Sequence, residues 1–83
     1  MKSPLDLEWT SSTEKYVYWY GKTKTRFSSQ IGESTTAGRF VWIIFHEDFA
    51  GAVHGQEVAT VEAGKKQAQE WLYSSAKPIS IDF

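Results

Sequence analysis

The sequence predicts an α+β domain in which an antiparallel β-meander of four to five strands is packed by one C-terminal α-helix. Three patterns predict it: strand-like alternation near the start, a run that is apolar on both faces in the middle, and helical periodicity towards the end. All 83 residues (1–83) are assigned to a single domain, because the length suits one small core and the chain has no linker or internal repeat.

The first two elements are a strand and a hairpin. The strand is predicted at residues 5–10, LDLEWT, where apolar and polar side chains alternate. The hairpin follows over residues 15–27, KYVYWYGKTKTRF, with Gly21 and Lys22 as its two-residue turn. A glycine at the first turn position suits a type II′ turn, so this is the simplest hairpin that the segment can form.

The length of this turn sets the register of the hairpin. With Tyr20 opposite Thr23, the tyrosines of the hairpin share a face with Phe27, which is predicted to be the core side. Trp19 then lies opposite Lys24 on the solvent side. A turn that is one residue longer exchanges the two faces.

The middle of the chain predicts a central strand. Residues 39–48, RFVWIIFHED, are apolar on both faces, and a turn at residues 48–51 leads to a returning strand at residues 52–59. A single helix covers only one face of a sheet. The second face therefore needs the terminal segments, a second copy of the chain or another protein, and either Trp42 or Phe45, depending on register, is the predicted interface residue.

The helix is predicted to start after Thr60, a favourable N-cap, and to stop before Pro78. Its packed face carries residues at helical spacing: Val61, Gly64, Ala68, Trp71, Leu72 and Ser75. Residues 65–67, Lys-Lys-Gln, are predicted to face solvent. The final PISIDF alternates again, which predicts a short edge strand or an extended strap over the core.

Composition limits the function. The chain has a formal net charge of −1, contains 16% aromatic residues and lacks cysteine, which excludes disulfides and thiolate chemistry. It has no apolar signal segment and no run of 18 apolar residues. We therefore expect a cytoplasmic protein with no membrane partner.

The hairpin is the first candidate binding site. Residues 15–32 contain no acid and carry the predicted binding residues Lys15, Trp19, Lys22, Lys24 and Arg26. An aromatic ring flanked by cations can stack on a base while the cations meet phosphate, which predicts contact with single-stranded nucleic acid. The alternative is structural: Lys24 and Arg26 lie over the indole of Trp19, and the lysines protect a sheet edge.

Metal and catalytic sites are not predicted. His46, His54 and Asp48 fall on one face for one hairpin register and could then ligate a metal, but a one-residue shift separates them. Adjacent His, Glu and Asp residues on a strand point to opposite faces and cannot act on one atom. No phosphate-binding glycine loop is present. We expect no cofactor, no metal and no enzymatic activity.

Residues 39–72 resemble a hairpin followed by a capped helix that recurs in small phage, prophage and bacterial proteins of unknown function. The resemblance lies in Thr60, Glu62, Ala63 and Ala68, and in size and layout it extends to some compact anti-CRISPR inhibitors. It implies a stoichiometric protein-binding accessory factor, and it assigns no functional residue. Many anti-CRISPR proteins mimic nucleic acid with acidic surfaces, and the basic hairpin departs from that pattern.

Together these patterns predict a small non-catalytic protein-binding module, a phage or mobile-element factor that inhibits a host protein. We also expect it to form a homodimer through the second face of the sheet. The alternative is a single-stranded nucleic-acid-binding protein that uses Trp19 and the hairpin cations.

Overall fold

The computed structural model describes residues 3–75 as one antiparallel sheet followed by a helix. The strands are β1 (Glu8–Ser11), β2 (Val17–Lys22), β3 (Phe27–Glu33), β4 (Phe40–His46) and β5 (Ala52–Val58), and the helix is α1 (Val61–Ser75). The strands lie in the order β1-β2-β3-β4-β5, and every neighbouring pair is antiparallel. The predicted α+β meander with one C-terminal helix is confirmed.

The helix begins where the sequence predicts. The backbone N–H of Ala63 donates to Thr60 Oγ1 at 3.1 Å, so Thr60 is the N-cap. Ala68 and Leu72 are fully buried against the sheet. Gly64 is buried between them and the helix start, and a Cβ there would lie 3.3 Å from Ile31 Cδ1. The missing side chain lets the helix approach β3 closely.

The core lies between the helix and one face of the sheet. It consists of Leu5, Phe27, Ile31, Trp42, Ile44, Val58, Ala68 and Leu72. Alternate residues of the central strand β4 enter this core, and the residues between them point to the other face. Most of the apolar surface that stabilises the fold is therefore buried on the helix side.

The first strand is shorter than predicted, because the segment before it is bound to the helix instead. The N–H of Leu7 donates to Gln69 Oε1 at 2.7 Å, and Gln69 Nε2 donates to the carbonyl of Leu5 at 2.8 Å. Strand pairing starts only at Glu8. The apolar side chains that alternate in the sequence are thus divided between a strap over the helix and a true strand.

The predicted two-residue turn is wrong. Strand β2 continues through Gly21 to Lys22, which pairs with Ser28, and residues 23–26 form the loop. Trp19 lies opposite Ile31 rather than Lys24. The longer loop exchanges the faces of β2, and Trp19 faces the helix.

The tyrosines follow the same correction. Tyr16 and Tyr18 are 60% and 37% exposed, and Tyr20 lies opposite Gln30 on the face away from the helix. Phe27, predicted on the core side with them, is buried. On the β3 side the predicted core face is confirmed, whereas of the predicted tyrosines on β2 only Tyr18 contacts a residue packed against the core, through an edge-to-face arrangement with Phe40.

The second face of the sheet is covered by no element within residues 3–75. Val41, Ile43 and Phe45 of β4 lie on it, and all three are half-buried by their neighbours alone. The predicted stop at Pro78 and the final PISIDF segment lie outside the described residues. In the described part of the chain, no helix is both long and apolar enough to cross a membrane.

Candidate functional site

Trp19 does not form the predicted stacking platform with hairpin cations. The Nζ of Lys65 lies 3.6 Å from the centroid of the Trp19 ring and 5.9 Å from that of Trp9. The cation–π partner of Trp19 is therefore a helix lysine, and neither Lys24 nor Arg26 takes that place. One face of the indole is already occupied by the chain itself.

Sequence reasoning missed the role of Lys65 because it counted the residue as solvated. Lys65 lies three and seven residues before Ala68 and Leu72, which places all three on one helical face. Gln67, also predicted to face solvent, accepts a hydrogen bond at 3.1 Å from the Trp42 indole N–H. Helical spacing was the signal that could have identified Lys65.

The hairpin cations are split between the two ends of β2. Lys15 precedes the strand, with its Nζ 5.3 Å from the Tyr16 ring centroid. Lys22 ends the strand, and Lys24 and Arg26 lie in the loop that follows. Only the last three come together, beside a cleft of about 330 Å³.

The two predicted interface residues are on opposite sides of the sheet. Trp42 is 2% exposed in the core. Phe45 lies on the second face, because adjacent positions of β4 alternate and Ile44 between them is in the core. The register thus leaves Phe45, and not Trp42, on a face that no element within residues 3–75 covers.

We call the face away from the helix the open face. One row of cross-strand neighbours crosses all five strands: Thr10, Tyr20, Gln30, Ile43 and Gly55. The apolar side chains Val41, Ile43 and Phe45 stand on this face along β4. They form an apolar ridge with polar side chains towards both edges.

The rim of the open face carries a carboxylate held by two partners. The hydroxyl of Ser34 donates to Glu57 Oε2 at 2.5 Å, and this hydrogen bond is the main reason why the pKa of Glu57 lies below its usual value. Arg39 Nε lies 2.7 Å from Glu57 Oε1, so the two side chains form an ion pair. The Nε–H bond does not point at the carboxylate oxygen, and the contact is therefore not a hydrogen bond. All of these groups are partly or fully exposed, so the charges are screened by solvent.

Tyr20 places a phenol on the open face. Its hydroxyl donates to a carboxylate oxygen of Glu14, and this bond raises the pKa of Tyr20 above its usual value. The bond fixes the ring in the same cross-strand row as Ile43, two strands away from the apolar ridge. A partner would meet a positioned aromatic edge there rather than a mobile one.

The histidines do not form the metal site considered from the sequence. His46 pairs with Phe27 on β3 and His54 pairs with Ile44, so the two are not opposite each other. His46 is buried, and its Nδ1 accepts the backbone N–H of Asp48 at 3.1 Å. Across residues 3–75, no three His, Asp or Glu side chains cluster closely enough to hold a metal ion.

His54 belongs to an aromatic stack at the edge of the sheet. Its ring lies 5.4 Å from the Trp71 ring at an interplanar angle of 16°, and 5.4 Å from the ring of Trp42. This packing ties β5 to the helix. The arrangement is that of a structural contact, since the exposed imidazole packs on both indoles.

Comparison with protein-family models gives no match, and the comparisons with curated proteins and with solved structures give none either. The resemblance to small phage and anti-CRISPR proteins therefore stays a prediction. Function has to be inferred from the surfaces themselves. Two surfaces are candidate binding sites: the open face, and the cleft lined by Lys22, Lys24 and Arg26, which we call the basic cleft.

Proposed function

We propose that this chain is a non-catalytic protein-binding module that holds another protein against its open face. The observation that supports the proposal is the apolar ridge of Val41, Ile43 and Phe45, which no element within residues 3–75 covers. An uncovered apolar strand such as β4, with Val17 of β2 in the same cross-strand row as Val41, is typical of an interaction surface. The ridge also stands on a preformed sheet, so binding needs little ordering of the backbone.

The ridge side chains are only partly buried, because most of their cross-strand neighbours are small. Four of its six cross-strand neighbours are small: Gly32, Ser28, Gly55 and Ala52. The other two are Gln30 and Glu57. A raised apolar line with low flanks fits a groove on the partner and is poorly matched to a flat surface.

The size of the open face favours a different protein over a second copy. Five strands about 4.8 Å apart and at most seven residues long cover roughly 440 Å² in projection. A stable interface buries about 800 Å² on each partner. The accessible surface of a face is larger than its projection, but two copies stacked face to face bury only this face, whereas a grooved partner also covers the sides of the sheet and so buries more of the chain.

The biological role that we propose follows from binding without catalysis. A chain of 83 residues that occupies a groove on a host protein can block that groove stoichiometrically. This is the mode of action implied by the resemblance to phage and mobile-element accessory factors. We accordingly propose a cytoplasmic inhibitor of a host protein, and a homodimer through the same face is the competing arrangement that the experiment must exclude.

The nucleic-acid alternative loses its stacking element in this structure. Trp19 faces the helix under Lys65, whereas Lys22 points to the open face three residues further along the strand. The distance along β2 is about 10 Å. Trp19 and the hairpin cations therefore cannot act on the same nucleotide as predicted.

The test places a photo-reactive phenylalanine analogue at Ile43 and, as a control, at Ser74 on the exposed side of the helix. We expect a cross-linked product from position 43 only, in extracts of the host cell. Its mass distinguishes a partner protein from a second copy. The captured protein is then purified and titrated against the wild type, Ile43→Lys and Ser74→Lys.

Both lysine variants add the same charge, one on the ridge and one on the other side of the molecule. A loss of affinity of tenfold or more for Ile43→Lys alone, with circular dichroism unchanged, supports the proposal. Equal affinities for the two variants contradict it. A cross-linked product with twice the chain mass would replace the host partner with a homodimer.

A further inference from the structure

The basic cleft at the end of the β2–β3 hairpin is not used by the proposed function. Residues 22–28 line most of it, and Glu47 closes it from the loop after β4. Its volume of about 330 Å³ is at the lower end of the range for small ligand sites. It can hold a charged group and part of its scaffold.

We propose that this cleft binds the phosphodiester backbone of a nucleic-acid strand without reading its bases. This inference does not rest on the proposed function, because the cleft lies at the loop end of the sheet and shares only Ser28, a neighbour of Phe45, with the flanks of the apolar ridge. It also differs from the predicted hairpin site, because it involves neither Trp19 nor base stacking. Four features of the cleft support it.

The first feature is the state of the two lysines. Lys22 and Lys24 are exposed, and neither makes an ion pair with a carboxylate among residues 3–75. Each ammonium group offers three donors on a flexible stem, as phosphate contacts require. Both side chains line the same cleft.

The second feature is the charge balance. Arg26 Nη1 donates to both carboxylate oxygens of Asp48, at 2.9 and 2.8 Å, and the pair is close to neutral. Among the residues that line the cleft, Lys22 and Lys24 stand against Glu47, which leaves one net positive charge; Glu8, which lies opposite Lys22 on β1, is not one of the lining residues. A phosphodiester carries one negative charge and a phosphomonoester nearly two, so the balance favours the diester.

The third feature is a hydroxyl beside a lysine. Ser28 lies directly opposite Lys22 in the β2–β3 register, with both side chains on the open face. Directly opposed side chains have Cβ atoms about 5 Å apart, so an ammonium group and a hydroxyl can donate to one phosphate. Within residues 3–75 the Ser28 hydroxyl makes no hydrogen bond.

The fourth feature is the rigidity of the loop. Thr23 Oγ1 donates to the carbonyl of Phe27 at 2.8 Å and accepts the N–H of Thr25 at 3.1 Å. The N–H of Phe27 donates to Thr25 Oγ1 at 3.0 Å, and that of Lys24 to the carbonyl of Pro4 at 3.0 Å. The lysines are therefore carried on a fixed backbone, which limits the entropy lost on binding.

Two consequences distinguish backbone binding from base recognition. If Lys22 and Lys24 each neutralise one phosphate, log K should fall with log salt with a slope of about −1.4 for a single strand. Oligomers of thymidine and of deoxyadenosine should bind equally, because no aromatic ring of the cleft is used for stacking.

The experiment is an amide-shift titration of the ¹⁵N-labelled chain with dT12 and with dA12, at 20 and 150 mM salt. We expect shifts concentrated at residues 22–28, no shift of the Trp19 indole N–H, and similar affinities for the two oligonucleotides. The test variant is Lys22→Gln/Lys24→Gln. The control, Lys15→Gln/Lys66→Gln, removes the same charge from two exposed lysines elsewhere.

The test variant should bind at least tenfold more weakly at 20 mM salt, with a slope near zero, while the control keeps the wild-type affinity. Equal losses of affinity in the two variants overturn the proposal, because they would show that the oligonucleotides respond to the overall charge of the protein and not to this cleft. A shifted Trp19 indole signal with a preference for one oligonucleotide also overturns it. Finally, if the chain binds phosphatidylglycerol vesicles but neither oligonucleotide, the proposal of a nucleic-acid ligand is overturned, and the phosphodiester that the cleft binds belongs to a lipid.

Discussion

Gly32 of β3 pairs with Val17 at the start of β2, next to the irregular register of these two strands. Substitution of this glycine is the most direct test of the sheet geometry. A Cβ at this position would be 2.6 Å from the carbonyl oxygen of Tyr16. Carbon–oxygen contacts between strands settle at about 3.3–3.6 Å, so Gly32→Ala requires the two atoms to separate by about 0.7 Å. The same oxygen accepts the N–H of Glu33 at 2.9 Å, and the shift weakens that bond too.

The magnitude follows from these contributions. Overpacking costs about 1–3 kcal/mol and a weakened hydrogen bond about 1 kcal/mol. Alanine also reduces the conformational entropy of the unfolded chain, which raises the free energy of unfolding by about 0.4–1 kcal/mol and offsets part of this loss. We expect a net loss of about 2–3 kcal/mol, out of the roughly 4–12 kcal/mol that a domain of 83 residues possesses.

The matched control is Gly38→Ala. Gly38 has a φ of +79°, and no atom lies within 4 Å of the place that a Cβ would occupy, so alanine there meets conformational strain without a clash. The expected loss is about 1 kcal/mol, since the left-handed conformation costs about 1–2 kcal/mol and the unfolded-state gain is the same as at Gly32.

The assay is urea unfolding followed by tryptophan fluorescence. With a slope of about 1 kcal/mol/M, Gly32→Ala should lower the midpoint by about 2–3 M and Gly38→Ala by about 1 M. If Gly32→Ala proves as stable as Gly38→Ala, the Tyr16 carbonyl does not lie over Gly32. The irregular register between Val17 and Trp19 would then be wrong.

Three further predictions test the core, the helix lysine and the rim of the open face. Leu72→Ala removes a fully buried side chain and should cost about 2–5 kcal/mol in urea unfolding; a loss below about 1 kcal/mol would mean that the helix does not pack as described. Lys65→Met keeps the stem but removes the cation over Trp19, so it should lower stability by about 0.5–1 kcal/mol in urea unfolding. An unchanged unfolding midpoint would refute that contact. Glu57 has a lowered pKa because of the Ser34 hydroxyl, so its contribution to stability is present above the ordinary carboxyl pKa and is lost as pH falls through the lowered value. Glu57→Gln should therefore flatten the acid side of a plot of melting temperature against pH, and a curve parallel to that of the wild type would contradict this.

Local patterns were sufficient for several elements. Thr60 caps the helix as predicted, because capping needs only a hydroxyl just before the helix and a free backbone N–H three residues further on, here that of Ala63. The central strand is apolar on both faces, and β4 indeed lies in the sheet with neighbours on both sides. The sequence also showed that one helix can cover only one of the two apolar faces of this strand. The open face is the face that the helix leaves uncovered.

The candidate site was less predictable, and the β2–β3 hairpin shows why. Gly21 and Lys22 favour a two-residue turn locally, but the loop that forms is built by hydrogen bonds of Thr23 and Thr25. Strand periodicity is two residues, so a change in loop length moved Trp19 from the solvent side to the helix side. The prediction that Trp19 and Lys24 act together depended on that single choice.

The sequence by itself determined the order of elements, the helix start and the two-sided character of β4, because each depends on residues close together in the chain. Only the tertiary structure decided which side of β2 faces the helix, that Lys65 covers Trp19, and that Gln69 holds the segment before β1. These contacts join residues up to 64 positions apart. Their geometry depends on packing the whole sheet against the helix, which no local pattern specifies.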